Sequence, residues 1–149
     1  DLLVLNASPL DNIAHTTRIH AVVRNGTWHS KEELLSSNPQ ALVERQLQAY
    51  NRRNADAFAA CYAEDVVIDS ILPGWPPIQG RDALRKTYSA LFEKSPNLNA
   101  RITNRIVSGD FVIDHELVTG LRDGPPVRAV AIYRVENGHI QQVWFLPKE

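Results

Sequence analysis

A chain of 149 residues has room for one ordinary domain and a short additional segment, since most domains contain about 100–150 residues. Its hydrophobic content of 44% can build a core, and its net charge of −1 gives no electrostatic signature of nucleic-acid or anionic-membrane binding. The single cysteine, Cys61, excludes an internal disulfide and a cysteine metal cluster.

The first 35 residues predict two short strands and a turn, without a core of their own. Leu2 to Leu5 is a short apolar run, Ile19 to Arg24 is the second, and Asn25-Gly26 is a strong turn signal. Two strands alone are marginal in water, so this segment must pack against something else.

A change of pattern at Ser36-Ser37-Asn38-Pro39 divides the chain. We expect residues 1–36 to be a dependent segment and residues 37–149 to be the domain. Because the chain lacks methionine altogether, we also expect it to be a piece of a longer protein.

Three helices are predicted after this boundary. The first begins at Asn38-Pro39, where an N-cap residue precedes a proline at the first helical position. The second begins at Asn54 and carries three side chains of an apolar face: Phe58, Cys61 and Tyr62. The third opens at Gly80 and ends before Pro96.

Strands make up most of the remainder. One strand, Val66 to Ile71, is predicted between the second and third helices. Four more follow the third helix, at about Asn99–Val107, Phe111–Thr119, Val127–Val135 and Ile140–Leu146. Three helices followed by a meander of long strands predict an α+β fold, with the helices covering one face of a bent antiparallel sheet.

Three stretches resemble the nuclear transport factor 2-like superfamily, which includes SnoaL-like proteins and ketosteroid isomerase. They are AYNRRNADAFAACYAEDVVID, GRDALRKTYSALF and VRAVAIYRVENGHIQQVWF, and the resemblance covers about Asn38 to Leu146. It implies a cystatin-like, cone-shaped and strongly bent antiparallel sheet packed on three N-terminal helices. It also implies an open pocket for a small apolar or mixed-polarity molecule, and a homodimer through the sheet.

The first 35 residues resemble a different family, the C-terminal tails of metal-dependent amidohydrolases. The matching stretches are DLLVLN, SPLDNI and RIHAVVRNG. The barrel that supplies the metal ligands of that family is not in this chain, and its early histidines are too loosely placed for a binuclear site: His15, His20 and His29. We therefore expect no metal and no cofactor.

Ketosteroid isomerases combine a carboxylate base with a tyrosine and a protonated aspartic acid that bind the enolate oxygen. The resemblance places Gln46 at the tyrosine position and Ala131 at the aspartic acid position. The base position falls at Ser70, with Asp69 next to it. The acidic residue on the last strand of SnoaL-like cyclases corresponds to Phe145, so neither steroid isomerase nor cyclase chemistry is expected in its usual form.

The predicted strand Phe111–Thr119 carries the polar residues of greatest interest. Alternation along a strand puts Asp114 and Glu116 on one face and His115 on the other. In the register that the resemblance implies, the two carboxylates face the pocket with Tyr133, and one pKa would be raised. A shift of one residue would bring His115 into the pocket instead.

A structural interpretation of the same two carboxylates is slightly favoured, in which Arg101 or Arg128 pairs with them. The candidate catalytic residues are nonetheless Asp69, Asp114, Glu116 and His115. The pocket implied by the resemblance is lined by Gln46, Tyr62, Trp75, Tyr88, Phe92, Ala131, Tyr133 and Phe145. Trp75 could act as a lid or ligand platform, or equally as a dimer contact or packing residue.

Two functions remain open. One is a small-molecule enzyme that acts by proton transfer, such as an isomerase, a dehydratase or a hydrolase-like protein. The other is a non-catalytic module that binds a small apolar ligand or dimerises a neighbouring amidohydrolase. The chain could also be a fragment of a complete amidohydrolase. We expect a cytoplasmic location and neither a nucleic-acid nor a membrane partner.

Overall fold

The computed structural model describes residues 1–31, 38–71 and 76–146. The chain divides into two compact units, Asp1–Asn38 and Pro39–Glu149. None of the helices in the described residues combines the length and the hydrophobicity that crossing a bilayer requires.

The first unit is a three-stranded antiparallel sheet with β2 in the middle. Its strands are β1 (Leu2–Leu5), β2 (Ile19–Arg24) and β3 (Thr27–Ser30). A short 3-10 helix, Ile13–Thr17, connects β1 to β2, and the side chain of Asn12 caps it by accepting a hydrogen bond from the Ala14 N–H.

The sequence predicted two strands in this segment, and the structure adds a third, β3. Asn25 and Gly26 both have positive φ angles, 50° and 76°, as the tight turn of a β-hairpin requires. Asn25-Gly26 is therefore the turn of a hairpin that joins β2 to the additional strand β3. On β3, the Trp28 ring packs edge-on against His20, with ring centroids 5.8 Å apart.

The second unit confirms the α+β prediction, with helices packed on one face of a six-stranded sheet. The helices are α1 (Pro39–Asn51), α2 (Ala55–Ala59) and α3 (Arg81–Glu93). The strands are β4 (Tyr62–Ser70), β5 (Ile78–Gln79), β6 (Asn99–Ser108), β7 (Phe111–Thr119), β8 (Val127–Glu136) and β9 (His139–Phe145).

The sheet order is β5-β4-β9-β8-β7-β6. The pairs β4–β5, β6–β7, β7–β8 and β8–β9 are antiparallel, while β4 and β9 run parallel. Because β4 and β9 are paired, the first and last strands of the unit lie side by side inside the sheet, with the two-residue strand β5 beyond β4.

The second helix is shorter than predicted. It ends at Ala59, and Tyr62 is the first residue of β4, whereas the apolar pattern placed Cys61 and Tyr62 on the helix. Tyr62 pairs with Ile140 of β9, and the Ile140 N–H donates to the Cys61 carbonyl oxygen at 2.9 Å. Pairing with a distant strand therefore overrides the local helical pattern.

The core lies between the three helices and the inner face of the sheet. Its fully buried side chains come from every layer and include Leu42, Val43, Phe58, Val66, Leu84, Val112 and Ile140. The amide of Asn51, at the end of α1, makes two hydrogen bonds with the backbone of Ala100 on β6, at 2.7 and 2.9 Å. These bonds fasten the end of α1 to the sheet.

Candidate functional site

A cavity of about 730 Å³ lies between α1, α3 and the inner face of the sheet. Most of its lining is apolar and includes Leu47, Ile68, Ile78, Leu91, Val118, Val127 and Phe145. Four tyrosines also line it: Tyr50, Tyr62, Tyr88 and Tyr133. Its size and composition are those of a binding site for a small molecule with a large apolar part.

Glu116 is the carboxyl group on the inner wall of this cavity. It is half-buried on β7, and the Tyr133 hydroxyl donates a hydrogen bond to its Oε1 at 3.0 Å. Its cross-strand partner on β8 is Ala129, whose small side chain also lines the cavity. The carboxyl is thus held on one side and open to the cavity on the other.

Burial raises the pKa of Glu116 from its usual value to about 7. The hydrogen bond from Tyr133 opposes this increase, the charge of Asp114 adds to it, and Arg105 opposes it. At neutral pH the carboxyl therefore exists in both protonated and ionised forms, so it can either donate or accept a proton.

Asp114 lies on the same face of β7 but outside the cavity lining. Its side chain is 1% exposed and forms two hydrogen bonds with Arg105, at 2.6 and 2.7 Å. Arg105 also contacts Glu44 of α1 at 3.0 Å. The prediction that Asp114 forms a structural ion pair with an arginine is therefore correct. The partner is Arg105, so the prediction of Arg101 or Arg128 was wrong.

A β-bulge explains why Arg105 is the arginine that pairs with Asp114. The pairing of β6 with β7 shifts by one residue between Ile102 and Asn104, so Thr103 is an extra residue in β6. Residues beyond the bulge change faces. Arg105 consequently lies directly opposite Asp114 and shares its inner face.

His115 is exposed on the opposite face of β7 and does not line the cavity. Its position follows from the register, because its neighbours Asp114 and Glu116 both point inward. The alternative in which His115 acts as the base in the pocket is therefore wrong.

Asp69 and Ser70 both contribute to the cavity lining, at the end of β4. Ser70 pairs with Phe145 of β9, which places it on the inner face, whereas Asp69 pairs with Trp144. Oδ1 of Asp69 accepts a hydrogen bond from the Ser70 N–H at 2.7 Å. Asp69 therefore belongs to the border of the cavity, and Glu116 is the carboxyl on its wall.

The residues predicted to line the pocket fall into three groups. Five of them do line the cavity: Gln46, Tyr62, Tyr88, Tyr133 and Phe145. Two are buried in the core and do not belong to the lining, Phe92 and Ala131. Trp75 lies outside the described residues.

Gln46 has a structural partner in the cavity, because its side chain hydrogen-bonds the hydroxyl of Tyr62. Burial raises the pKa of Tyr50, Tyr62, Tyr88 and Tyr133 above that of an ordinary phenol. All four hydroxyls therefore stay protonated at physiological pH and keep their hydrogen-bond donors.

The lining residues that the sequence reasoning did not single out include one tyrosine and two cationic side chains: Tyr50, Lys94 and Arg122. Leu47 and Tyr50 lie three residues apart on α1, and this apolar helical spacing is the signal that places Tyr50 in the cavity wall. Lys94 and Arg122 carry no motif and were not singled out. Within the described ranges, no group of three or more His, Cys, Asp or Glu side chains could hold a metal ion.

The model of one protein family, the SnoaL-like domain, matches residues 43–143. None of the curated proteins compared with the chain matches it.

Solved structures with the same fold share little sequence with the chain. An uncharacterised cystatin-fold protein from Novosphingobium aromaticivorans is 24% identical, with a TM-score of 0.65 over 74% of this chain and 98% of its own. A candidate SnoaL-like polyketide cyclase from Jannaschia is 17% identical, with a TM-score of 0.64 over 77% and 88%. An NTF2-like protein of unknown function from Cytophaga hutchinsonii is 14% identical, with a TM-score of 0.63 over 75% and 90%.

Proposed function

The chain belongs to the SnoaL-like domain family, and from this premise we propose that it binds a small, largely apolar molecule and moves a proton through Glu116. The observation that carries the proposal is the carboxyl of Glu116 in an apolar cavity, with a pKa of about 7 and a hydrogen bond from Tyr133. A general acid or base works best when its pKa lies near the working pH.

The ionised form of Glu116 accepts a proton from an acidic C–H group of the ligand, and the protonated form returns it at another position. Tyr133 orients the carboxylate, since it holds one oxygen and leaves the other available. The neutral hydroxyls of Tyr50 and Tyr88 also line the cavity and supply donors for an oxygen that becomes negative during the transfer. An isomerisation or an elimination next to a carbonyl group fits these roles.

A proton-abstraction probe tests this role without knowledge of the natural substrate. Removal of the C–H proton of 5-nitrobenzisoxazole breaks its N–O bond and releases a coloured cyanophenolate. We expect the wild-type protein to accelerate this reaction, with a rate that rises through pH 7 as Glu116 ionises. Glu116→Gln should lose about 100-fold or more of the acceleration.

The matched control for this substitution is Glu93→Gln, because Glu93 is exposed and does not line the cavity. It should leave the rate unchanged. Equal rates in the wild-type protein and Glu116→Gln would remove Glu116 from the proposed mechanism and favour a binding module without proton transfer.

We also propose that the domain forms a homodimer through the outer face of its sheet. Four apolar residues are aligned across adjacent strands on that face: Ile106, Ile113, Ile132 and Trp144. Ile106 is 53% exposed, so a charge placed there should not disturb the monomer. Ile106→Glu should convert a dimer to a monomer in light scattering, whereas Lys86→Glu on α3 should not.

For the first unit we propose a second role, as the tail of a metal-dependent amidohydrolase. Its side chains Leu2 and Trp28 are 68% and 52% exposed, which suits a sheet that is covered by a further part of a larger protein. The reading frame upstream of Asp1 tests this proposal: an HxH motif there supports it, and an in-frame start immediately before Asp1 contradicts it.

A further inference from the structure

Two cationic side chains line the cavity where β7 ends. Lys94 follows the last turn of α3, and Arg122 lies in the 3-10 turn Leu121–Asp123 that follows β7. Both are exposed, and neither forms an ion pair within the part of the chain that the structure describes. Their charges are therefore available to a bound molecule.

The backbone that presents Arg122 is in an unusual conformation. Its φ and ψ angles, 48° and 38°, are left-handed, which costs a residue other than glycine on the order of 1 kcal/mol or more. Backbone strain of this kind persists only where the surroundings enforce it, and it is often found where a side chain must be held at a binding site.

Two contacts enforce the turn. The Arg122 N–H donates to Oγ of Ser95 at 3.0 Å, and Ser95 is fully buried directly after Lys94. Gly120 approaches the Asn97 carbonyl so closely that an added Cβ would lie 2.2 Å from its oxygen. The turn is thus fastened to the segment that follows α3, so that Arg122 and Lys94 line the same end of the cavity.

The carboxyl of Glu116 and the cationic side chain of Arg122 lie at different positions along the cavity. Glu116 lies three residues before the end of β7, or about 10 Å at the usual rise of a strand, and the turn with Arg122 lies beyond that end. Among the described residues, the one further charged side chain of the lining is that of Asp69, which accepts a hydrogen bond from the Ser70 N–H. The end of the cavity at Lys94 and Arg122 therefore favours a negative group.

We propose that Lys94 and Arg122 bind an anionic oxygen group of the ligand, a carboxylate or a phosphate, while its apolar body extends inward to Glu116. This inference rests on the proposed function, since it assigns the ligand class of the same cavity. An arginine and a lysine side by side can hold two oxygens of such a group at once. Neutral and cationic molecules of the same shape gain nothing from this pair.

Three naphthalene probes of similar shape test the proposal by fluorescence titration at low salt: 2-naphthylacetate, its methyl ester and 2-naphthyl phosphate. The wild-type protein should bind at least one anion several-fold more tightly than the ester. Arg122→Asn and Lys94→Gln should each weaken anion binding about two- to fivefold, as the loss of an exposed ion pair does. Ester binding should not change.

Matched variants separate the effect of charge from that of folding. Asparagine tolerates the left-handed conformation, so Arg122→Asn keeps the turn, and Arg122→Lys should restore anion binding in part. Lys86→Gln, an exposed position on α3 outside the cavity lining, should have no effect. The tighter of the two anions identifies the group as a carboxylate or a phosphate.

The possible outcomes distinguish this inference from the function on which it rests. If the ester binds as tightly as both anions, the role of Lys94 and Arg122 is overturned while the apolar cavity remains a binding site. If an anion preference persists when Lys94→Gln and Arg122→Asn are combined in one variant, the role is overturned as well. If none of the three probes binds, the proposed small-molecule function fails first.

Discussion

Asp114 and Glu116 carry two carboxyl groups on the same face of the same strand, but the surroundings of the two groups differ. Asp114 is sealed from solvent against Arg105, which in turn contacts Glu44. Glu116 faces a cavity, and among the described residues its one hydrogen-bond donor is the hydroxyl of Tyr133. The comparison teaches that the neighbours of an acidic residue decide whether it holds the fold together or is available for chemistry.

The largest effect should come from breaking the sealed pair. Asp114→Asn leaves the guanidinium of Arg105 mostly buried and without its main counter-charge, which typically costs about 3–5 kcal/mol of stability. Urea unfolding measures this loss. Glu136→Gln is the control, because the Arg134–Glu136 pair is exposed and its loss should cost less than about 1 kcal/mol. Similar losses in both variants would contradict the structural role of Asp114.

The next effect concerns the cost of ionising Glu116. Its pKa is about 7 in the folded chain and near 4.5 when unfolded, so the folded state binds more protons between these values. The wild type should therefore lose stability as the pH rises from about 4.5 to 7. Glu116→Gln lacks this dependence, so relative to the wild type it should gain roughly 1–3 kcal/mol between pH 5 and pH 8. If the stabilities of the wild type and Glu116→Gln changed with pH in the same way, the raised pKa of Glu116 would be contradicted.

A smaller effect is expected from the tyrosine that contacts Glu116. Tyr133→Phe removes the hydrogen bond that stabilises the carboxylate, so the pKa of Glu116 should rise above 7. The measurement is a carbon-13 NMR titration of the glutamate carboxyl groups. Tyr88→Phe is the control, since Tyr88 lines the same cavity but forms no hydrogen bond with Glu116 in the described part of the chain. An equal shift in that variant would assign the effect to the cavity as a whole.

The smallest effect should come from the outer member of the sealed cluster. Glu44 is 46% exposed at its side chain, so Glu44→Gln should cost less than about 1 kcal/mol in urea unfolding. Arg105 keeps its two bonds to Asp114 in this variant. A loss as large as that of Asp114→Asn would show that Arg105 depends on both carboxylates equally.

The sequence predicted the two faces of β7 correctly, because alternation along a long strand is a local property. It could not predict the partner of Asp114, since one extra residue at Thr103 changes the face of everything after it in β6. Apolar spacing likewise extended α2 through Tyr62, where pairing with β9 decides otherwise.

The residues of the site were likewise predictable only where the nearby sequence, and not contacts with distant residues, determines their position. The resemblance identified Tyr88 and Tyr133, which lie on elements that the pattern located well, and it identified Tyr62 although the pattern placed that residue on a helix. Arg122 was missed because its place in the cavity wall depends on the left-handed conformation of its turn and on a hydrogen bond to the distant Ser95. A local turn signal does not reveal which side chains the turn directs toward a cavity.

The parallel pairing of β4 with β9 has a consequence for how the domain folds. Ile68 and Val143 are neighbours in the sheet although about 75 residues separate them, and contacts between such distant residues form slowly because a long loop must first close. On the ribosome, β4 has to wait for the last strand to be synthesised. Because Phe145 of β9 is part of the cavity wall, the binding site is completed only when synthesis reaches the final residues of the domain.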